Sequence, residues 1–392
     1  MMYDTAIVGA GPVGLLLAAL LGQKGLRVLL LEKRTEPTRR SHAIGITPPS
    51  LEILAQLGLA DTFVHRGIPI RDCHVHGHRG LLGCASFRNI PGPHPYILSL
   101  PQHHTIALLE NHLASLPNVQ FLRNTELSSL SQDPNGVTLH APHLTASAHW
   151  LIACDGHRST VRNHLRILTR GAFYGCHFLM GDFLDHSPLG SDAHLWFTPH
   201  GAVESFPLPD AHRRWVVQTT QPLPDAPPGH LTATILQRTG LDLQTHDQLH
   251  QNAFSPRWMQ ARTYRDRRVL LCGDAAHLMS PIGGQGMNTG WADAEFLAQA
   301  LTSIQLRGRS PEPLLAAYEH YRRRAALAAT HRAARGMWLG TRTGAFASRV
   351  RDLAMRHLLF KGPLARRLGP HFAMLTIPHR TTAHTPKNLW NP

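Results

Sequence analysis

The sequence is short of the residues that mark several large protein classes. Its five cysteines, Cys73, Cys84, Cys154, Cys176 and Cys272, are odd in number, widely spaced and without a CxxC pair, which argues against a disulfide framework and against a zinc site. Cys154 and Cys272 fall in apolar strand-like runs, where buried inert thiols are expected. No apolar run is long enough to span a bilayer, and the chain opens on "YDTAIVGAGPVG" without a charged leader; a soluble cytoplasmic protein is expected. Acidic residues are few: 25 Asp and Glu stand against 39 Lys and Arg, a formal net charge of +14 before any of the 29 histidines titrates. Such an excess draws anions, whether nucleotide cofactors, acidic substrates or partners, a membrane surface or nucleic acid, although surface composition alone also accounts for it. No basic tail and no interleaving of aromatic with basic residues is present, so nucleic acid is not expected as a partner. At 392 residues and 43% hydrophobic content, with no repeat or low-complexity segment, the chain can build a large core and two or three structural units.

What the sequence does contain begins at "DTAIVGAGPVGLLLAALLGQKGLRVLLLEKR", residues 4–34. Thr5 to Val8 suit a buried parallel strand, and Gly9, Gly11 and Gly14 supply GxGxxG spacing. The first glycine permits a tight turn, the second lets a pyrophosphate approach the backbone, and the third allows helix to pack on strand. A helix is expected over Val13 to Gln23, with Gly25 as its stop. Arg27 to Leu31 make a second strand ending in Glu32, 18 residues beyond Gly14. A carboxylate there can accept hydrogen bonds from a ribose, while the helix N-terminus faces a diphosphate. Strand, glycine loop, helix, strand and acid in this order predict a dinucleotide site. Glu32 argues against a 2'-phosphate, although Lys33 and Arg34 adjoin it, and the fingerprint leaves NAD and FAD both open.

Further along, Leu51, Leu54 and Leu57 form a helical face behind Pro49, and "QHHTIALLENHLASLP" returns to helical spacing. Short strands follow from Val119, broken by the turn signal "DPNG", up to "HWLIACDG" at 149–156. Residues 171–261 alternate polar with aromatic or aliphatic side chains, as an antiparallel sheet covered on one face does. "RVLLCGDAAH" restores the buried-strand pattern, and from Trp291 the chain is mostly helical. The basic C-terminal helices are expected to pack on the protein's own sheet, with peripheral membrane contact left open.

Three stretches carry a resemblance: "GAGPVG" with Glu32, "CDGHRSTVR" at 154–162 and "GDAAHLMSPIGGQGMNTG" at 273–290. Their set and order resemble the group A flavoprotein monooxygenases, FAD-dependent aromatic hydroxylases of the para-hydroxybenzoate hydroxylase type, over nearly the whole chain. The resemblance implies an α/β fold. A Rossmann-like FAD-binding domain would span 1–70, 98–170 and 262–300, an interleaved antiparallel-sheet substrate domain 71–97 and 171–261, and a C-terminal helical region 301–392. It also implies that Gly9, Gly11, Pro12, Val13 and Gly14 wrap the FAD diphosphate, and that Glu32 and the adjoining Lys33 lie at the adenosine ribose. Asp155 and Arg158 would serve the motif that handles FAD and nicotinamide cofactor. Gly273, Asp274 and Pro281 would line the flavin, with Asp274 on the ribityl chain, and Gly286, Met287 and Asn288 would present backbone to the isoalloxazine ring. Gln102 would lie near the flavin and Leu127 at the adenine. Many relatives carry an arginine where this chain has His42; Arg40 or His42 is expected to substitute in phosphate contacts, which leaves NADH and NADPH both open.

The expected activity is hydroxylation of an aromatic, polyketide or quinone-like ring with NAD(P)H and dioxygen, through a flavin C4a-hydroperoxide. The cofactor carries that chemistry, so no side-chain nucleophile and no metal is required. Phe197, Glu204, Phe206, Trp215 and Gln218 are candidate substrate contacts, although strand alternation alone yields such residues. His177 and Tyr174 are weaker candidates for phenol deprotonation, and His103 and His104 read as a solvated helix start. A flavin-dependent halogenase is disfavoured because the tryptophans are isolated from one another; a membrane-associated quinone-ring hydroxylase and a flavin-binding protein without turnover are the remaining alternatives. Oligomeric state is left open.

Overall fold

A computed structural model describes every residue except 1, 38–42, 282, 362–363, 380, 387–388 and 391–392. Its centre is the strand Met2–Val8, which runs parallel to Val28–Leu31 on one side and to Leu144–Ala153 on the other. Val119–Leu122 and Val269–Leu271 extend the sheet outward in parallel, and Arg265–Asp266 closes one edge antiparallel. Ala6, Ile7, Leu29, Leu30, Leu151 and Ile152 have no exposed surface, as continuous apolar runs in a parallel sheet covered on both faces require. The strands Ser129–Gln132 and Val137–Ala141 pair antiparallel beside Leu144–Ala153. The "DPNG" turn ahead of Val137 is held by Asp133, whose Oδ1 accepts from the N–H groups of Asn135 at 2.6 Å and Gly136 at 2.9 Å.

The helices Pro12–Gln23, Gln102–Leu113 and Gln285–Arg307 pack side by side over this sheet. The buried indole of Trp291 joins two of them by donating to the carbonyl of Pro12 at 3.0 Å. The 30-residue helix Pro311–Gly340 then runs back along Gln285–Arg307. No helix among the described residues is long and apolar enough to cross a membrane.

A second, seven-stranded sheet takes its strands from Asp72–Gly77, Gly80–Ser86, His177–Leu184, Ala193–Thr198, Gly201–Leu208, His212–Thr219 and Gln248–Phe254. It is not wholly antiparallel. Ala193–Thr198 pairs parallel with Asp72–Gly77, because the early hairpin Asp72–Ser86 is added at the edge of a meander that comes from much later in the chain. One face of this sheet is covered by the helix His230–Thr239, with Leu179, Phe183, Trp196, Val203, Trp215, Leu231 and Ile235 in its core. The other face meets the C-terminal helices through Phe178, Val216 and Met337. Two short three-stranded sheets link the layers. In one of them Arg257–Ala261 pairs with both Thr169–Phe173 and His277–Leu278.

Candidate cofactor and substrate site

The first jaw of the site is the loop after Met2–Val8. A Cβ on Gly9 would lie 2.4 Å from the carbonyl oxygen of Cys154, and one on Gly14 would lie 1.9 Å from that of Gly9. These two glycines are needed by the protein itself. Gly11 is different: its φ of −73° suits any residue, and a Cβ there would meet nothing within 4 Å. Its open side adjoins the N-terminus of Pro12–Gln23, which has no side-chain cap and no acid in its first turn. Uncapped N–H groups and the helix dipole there suit a phosphate. Glu32, at the end of the second strand, accepts from the N–H groups of Ala10 at 2.8 Å and Arg34 at 3.0 Å. The carboxylate therefore stands at the mouth of the glycine turn with lone pairs to spare. Lys33 points away into an exposed pair with Glu126, and Leu127 is a core residue. Arg40 and His42 lie outside the described residues.

The second jaw follows Val269–Leu271. Gly273 packs on Val13 of the first jaw, as does Gly290, whose added Cβ would lie 2.7 Å from a Val13 methyl. Asp274 is half-buried and accepts no hydrogen bond from a described residue, and burial pushes its carboxyl up despite the nearby His277. Pro281 is exposed and its carbonyl accepts from Gly284 N–H at 2.9 Å. The helix Gln285–Arg307 begins behind Gly284 without a side-chain cap. A Cβ on Gly286 would find no neighbour nearer than 3.8 Å, so its first-turn N–H groups are open to a flat ligand. Met287 packs partly against the main core.

Asn288 works through its side chain. Its amide donates to the carbonyls of Gly45 at 2.9 Å and Gly284 at 2.6 Å, and its Oδ1 accepts from Thr47 N–H at 3.0 Å. This fastens the helix N-terminus to the strand Gly45–Ile46. Gln102 heads its helix and accepts from Ala43 N–H at 3.4 Å.

The motif at 154–162 divides its two arginines. Arg158 is exposed, whereas Arg162 is buried and donates to the carbonyls of Ala275 at 2.9 Å and His157 at 2.8 Å. Arg162 is thus the residue that ties this motif to the second jaw. Asp155 caps the short helix Thr160–His164 through Val161 N–H at 3.1 Å, and burial raises its pKa against that bond.

A buried cluster missed by sequence reasoning holds the second jaw in shape. Asp293, fully enclosed, accepts from Gly273 N–H at 3.1 Å, His277 Nε2 at 2.5 Å and Arg322 Nε at 2.7 Å. Burial alone would raise its pKa, but His277 and Arg322 outweigh it and hold the carboxyl below its usual value. Arg322 also donates to the carbonyl of Thr289 at 3.2 Å. Loop, helix and the long helix Pro311–Gly340 are locked together by one carboxylate.

The candidate substrate contacts separate by face. Glu204 pairs with Leu195 and Val216 across the seven-stranded sheet, so it and Phe206, two residues on, share the face toward the C-terminal helices. Phe197 and Gln218 share that face. Phe197 lies under the Arg351 guanidinium, and Gln218 donates to Thr341 O at 3.2 Å and accepts from Ala202 N–H at 3.1 Å. Trp215 is on the opposite face, stacked on Trp196 with ring centroids 5.6 Å apart. Glu204 is 8% exposed, makes no hydrogen bond to a described residue, and burial pushes its carboxyl up to about 7. The same face carries the buried pair Arg214–Asp182, Nε to Oδ1 at 2.7 Å, which sequence reasoning also missed. His177 is engaged with Ser255 at 2.6 Å. Tyr174 lines a cavity of about 450 Å³ with Met337, Trp338, Thr341, Arg342 and Ala347. No cluster of metal-ligating side chains occurs among the described residues.

The residues fit FAD on the molecule's own geometry: Gly11 and Gly286 have no internal reason to be glycine, Asp274 has an unused carboxylate, and the helices Pro12–Gln23 and Gln285–Arg307, packed on each other through Val13 and Gly290, both begin uncapped. Comparison with known proteins agrees. A family described as FAD binding domain matches residues 2–333. A rifampicin monooxygenase of Streptomyces venezuelae is 35% identical over 81% of this chain, which spans about two thirds, 67%, of that relative's length. A para-nitrophenol 4-monooxygenase of Pseudomonas sp. strain WBC-3 is 30% identical over 89% of this chain and 90% of its own. The crystal structure of p-nitrophenol 4-monooxygenase from Pseudomonas putida superposes with a TM-score of 0.85 at 27% identity, covering 95% of this chain and 98% of that one. An anhydrotetracycline hydroxylase from Streptomyces rimosus gives 0.78 at 31% identity, over 96% of this chain and 77% of the other. With the glycine jaw, the Asp274 jaw and the sheet between them in the same order and fold, the chain belongs to the FAD-dependent aromatic monooxygenases, the group A flavoprotein hydroxylases.

Proposed function

We propose that this chain hydroxylates a phenolic or polycyclic aromatic small molecule with NAD(P)H and dioxygen, in the cytoplasm. The substrate would lie between the second jaw and the face of the seven-stranded sheet that bears Glu204 and Phe206. The observation that carries the reading is Asp274: a carboxylate without a hydrogen-bonding partner among the described residues, next in the chain to Gly273, which packs on Val13 in the first turn of the uncapped helix Pro12–Gln23. When bound, FAD supplies hydride acceptance and dioxygen activation, chemistry that side chains cannot perform.

The chain's own residues do the rest. Gly11 and the first turn of Pro12–Gln23 receive the diphosphate, Glu32 the adenosine ribose and Asp274 the ribityl hydroxyls. The first-turn N–H groups of Gln285–Arg307, kept in place by Asn288 and Asp293, stabilise negative charge on the reduced ring. The sheet excludes water and fixes the aromatic ring. A protonated Glu204 donates a hydrogen bond to a substrate oxygen, and below its pKa it carries no charge to repel an electron-rich ring. The substrate class is drawn from relatives whose names specify rifampicin, para-nitrophenol and anhydrotetracycline. By the same reading the FAD-binding part spans 1–70, 98–170 and 262–300, and the substrate part 71–97 and 171–261.

The test is a flavin absorption spectrum of the purified protein, then NADH and NADPH oxidation screened against phenols and polycyclic aromatics in labelled dioxygen. One labelled oxygen atom in the product is expected. Protein that takes up no FAD, or oxidation that no aromatic stimulates, would overturn the proposal.

A further inference from the structure

The apolar side of the helix Ala345–Ala354 points away from the protein. Ser348 and Arg351 are its buried positions, followed by Met355, whereas Phe346, Val350 and Leu353 are 82%, 54% and 64% exposed. At 3.6 residues per turn these two sets lie on opposite faces. The helix is held by its polar side. Arg351 donates to the carbonyls of Phe197 at 2.5 Å and Arg342 at 3.0 Å, and Asp352 accepts from His78 N–H at 3.0 Å. Leu358 and Trp338, 67% and 61% exposed, continue the apolar surface on either side of the helix in the chain. Large apolar side chains exposed together on one helix face mark an interaction site rather than ordinary exposure.

The charge around it selects the partner. Arg342, Arg349, Arg356, Lys361, Arg366 and Arg367 are all exposed. The only acid between residues 338 and 367 is Asp352, which is turned inward. Arg349 falls at one margin of the stripe by helical spacing, and Arg356, in the turn that follows the helix, is exposed while its guanidinium donates to the carbonyl of Leu81 at 3.3 Å. A second copy of this chain docked by the same face would bring cations against cations. An apolar stripe edged by arginine suits a lipid surface with anionic headgroups.

We propose that this face seats the protein on an anionic membrane surface, with Phe346, Val350 and Leu353 at the acyl boundary and Arg349 and Arg356 at the phosphates. The cavity of about 450 Å³ shares Trp338, Arg342 and Ala347 with this segment. Its mouth would then open toward the bilayer, where an apolar aromatic substrate is concentrated.

The test uses the full chain saturated with FAD and reads co-sedimentation with vesicles, so its outcome is independent of turnover. Binding is expected on phosphatidylcholine mixed with phosphatidylglycerol and much less on phosphatidylcholine alone. The pair Phe346→Glu with Leu353→Glu, and separately Arg349→Gln with Arg356→Gln, should each weaken it by about tenfold or more, with unchanged circular dichroism and FAD content. Three results would overturn the proposal: no sedimentation with the anionic vesicles; binding that survives the apolar pair, which would make net charge alone responsible; or a dimer in sedimentation velocity that the apolar pair dissociates, which would assign the face to a second copy.

Discussion

Two buried carboxylates behave in opposite ways because their surroundings differ. Asp293 accepts from both His277 and Arg322, which together hold its pKa below the ordinary 3.8. Its contribution to stability is complete above about pH 4 and is lost as pH falls through the lower folded value. Asp293→Asn keeps the volume but leaves Arg322 without its carboxylate, and a loss of about 3–5 kcal/mol is expected in denaturant unfolding, with weaker FAD retention. An unchanged midpoint would remove Asp293 from its structural role. Glu204 has no such partner. Between its unfolded pKa of 4.5 and its folded value of about 7 the unfolded chain releases a proton that the folded chain keeps. Stability therefore falls across that window and stays lower above it, by an upper bound of about 3 kcal/mol. Glu204→Gln should raise the melting temperature at pH 8 and change it little at pH 4; equal effects at both would show that burial does not govern this group. Asp274 could be singled out as a candidate in the sequence because its motif is local. Asp293, His277 and Arg322 were not, because a carboxylate within "NTGWADAEF" reads as one more polar helical position until folding brings partners 16 and 29 residues away against it.

At the scale of elements, the glycine loop makes a separable prediction. Gly14→Ala drives a methyl into the carbonyl of Gly9 and should destabilise the protein with or without cofactor, by about 2 kcal/mol or more. Gly11→Ala meets no protein atom within 4 Å, so the melting temperature of the FAD-free protein should change little, by less than about 1 kcal/mol in stability. FAD affinity should fall about tenfold or more, read by flavin fluorescence titration. If both variants lose stability alike, the open side of Gly11 is not the diphosphate site. Strand, turn and helix here were readable because each glycine and each apolar run acts on its neighbours. The parallel edge pairing of Ala193–Thr198 with Asp72–Gly77 was not, since alternation reveals a covered face but not which strand lies alongside. The helix Ala345–Ala354 adds a related lesson. Its period locates an apolar stripe, yet nothing in the period says which side the protein will take, and Arg351 decided it by reaching the backbone of Phe197 and Arg342.

Across the whole molecule, the chain passes from the eight-stranded sheet to the seven-stranded one and back twice, entering it at Asp72–Ser86 and again at His177–Phe254. Each sheet is spliced into the other's loops, an arrangement that favours the two completing their pairing together. The candidate FAD site spans the same distance, with Gly11, Arg162, Asp274 and Gly286 contributed by segments far apart in sequence. Cofactor binding should therefore stabilise both sheets together, although it touches mainly one. At a FAD concentration one hundred times its dissociation constant the gain is about 2.7 kcal/mol. Hydrogen exchange followed by mass spectrometry reads the two sheets separately: the slowest amides of Val28–Leu31 and Leu144–Ala153 report on one, those of His177–Leu184 and His212–Thr219 on the other. Opening by a single global event requires both sets to slow by the same factor, about a hundredfold, when FAD is added. Slowing confined to the first set would mean that the seven-stranded sheet opens by itself, and that the interleaving of the chain constrains its topology without coupling its stability to the cofactor.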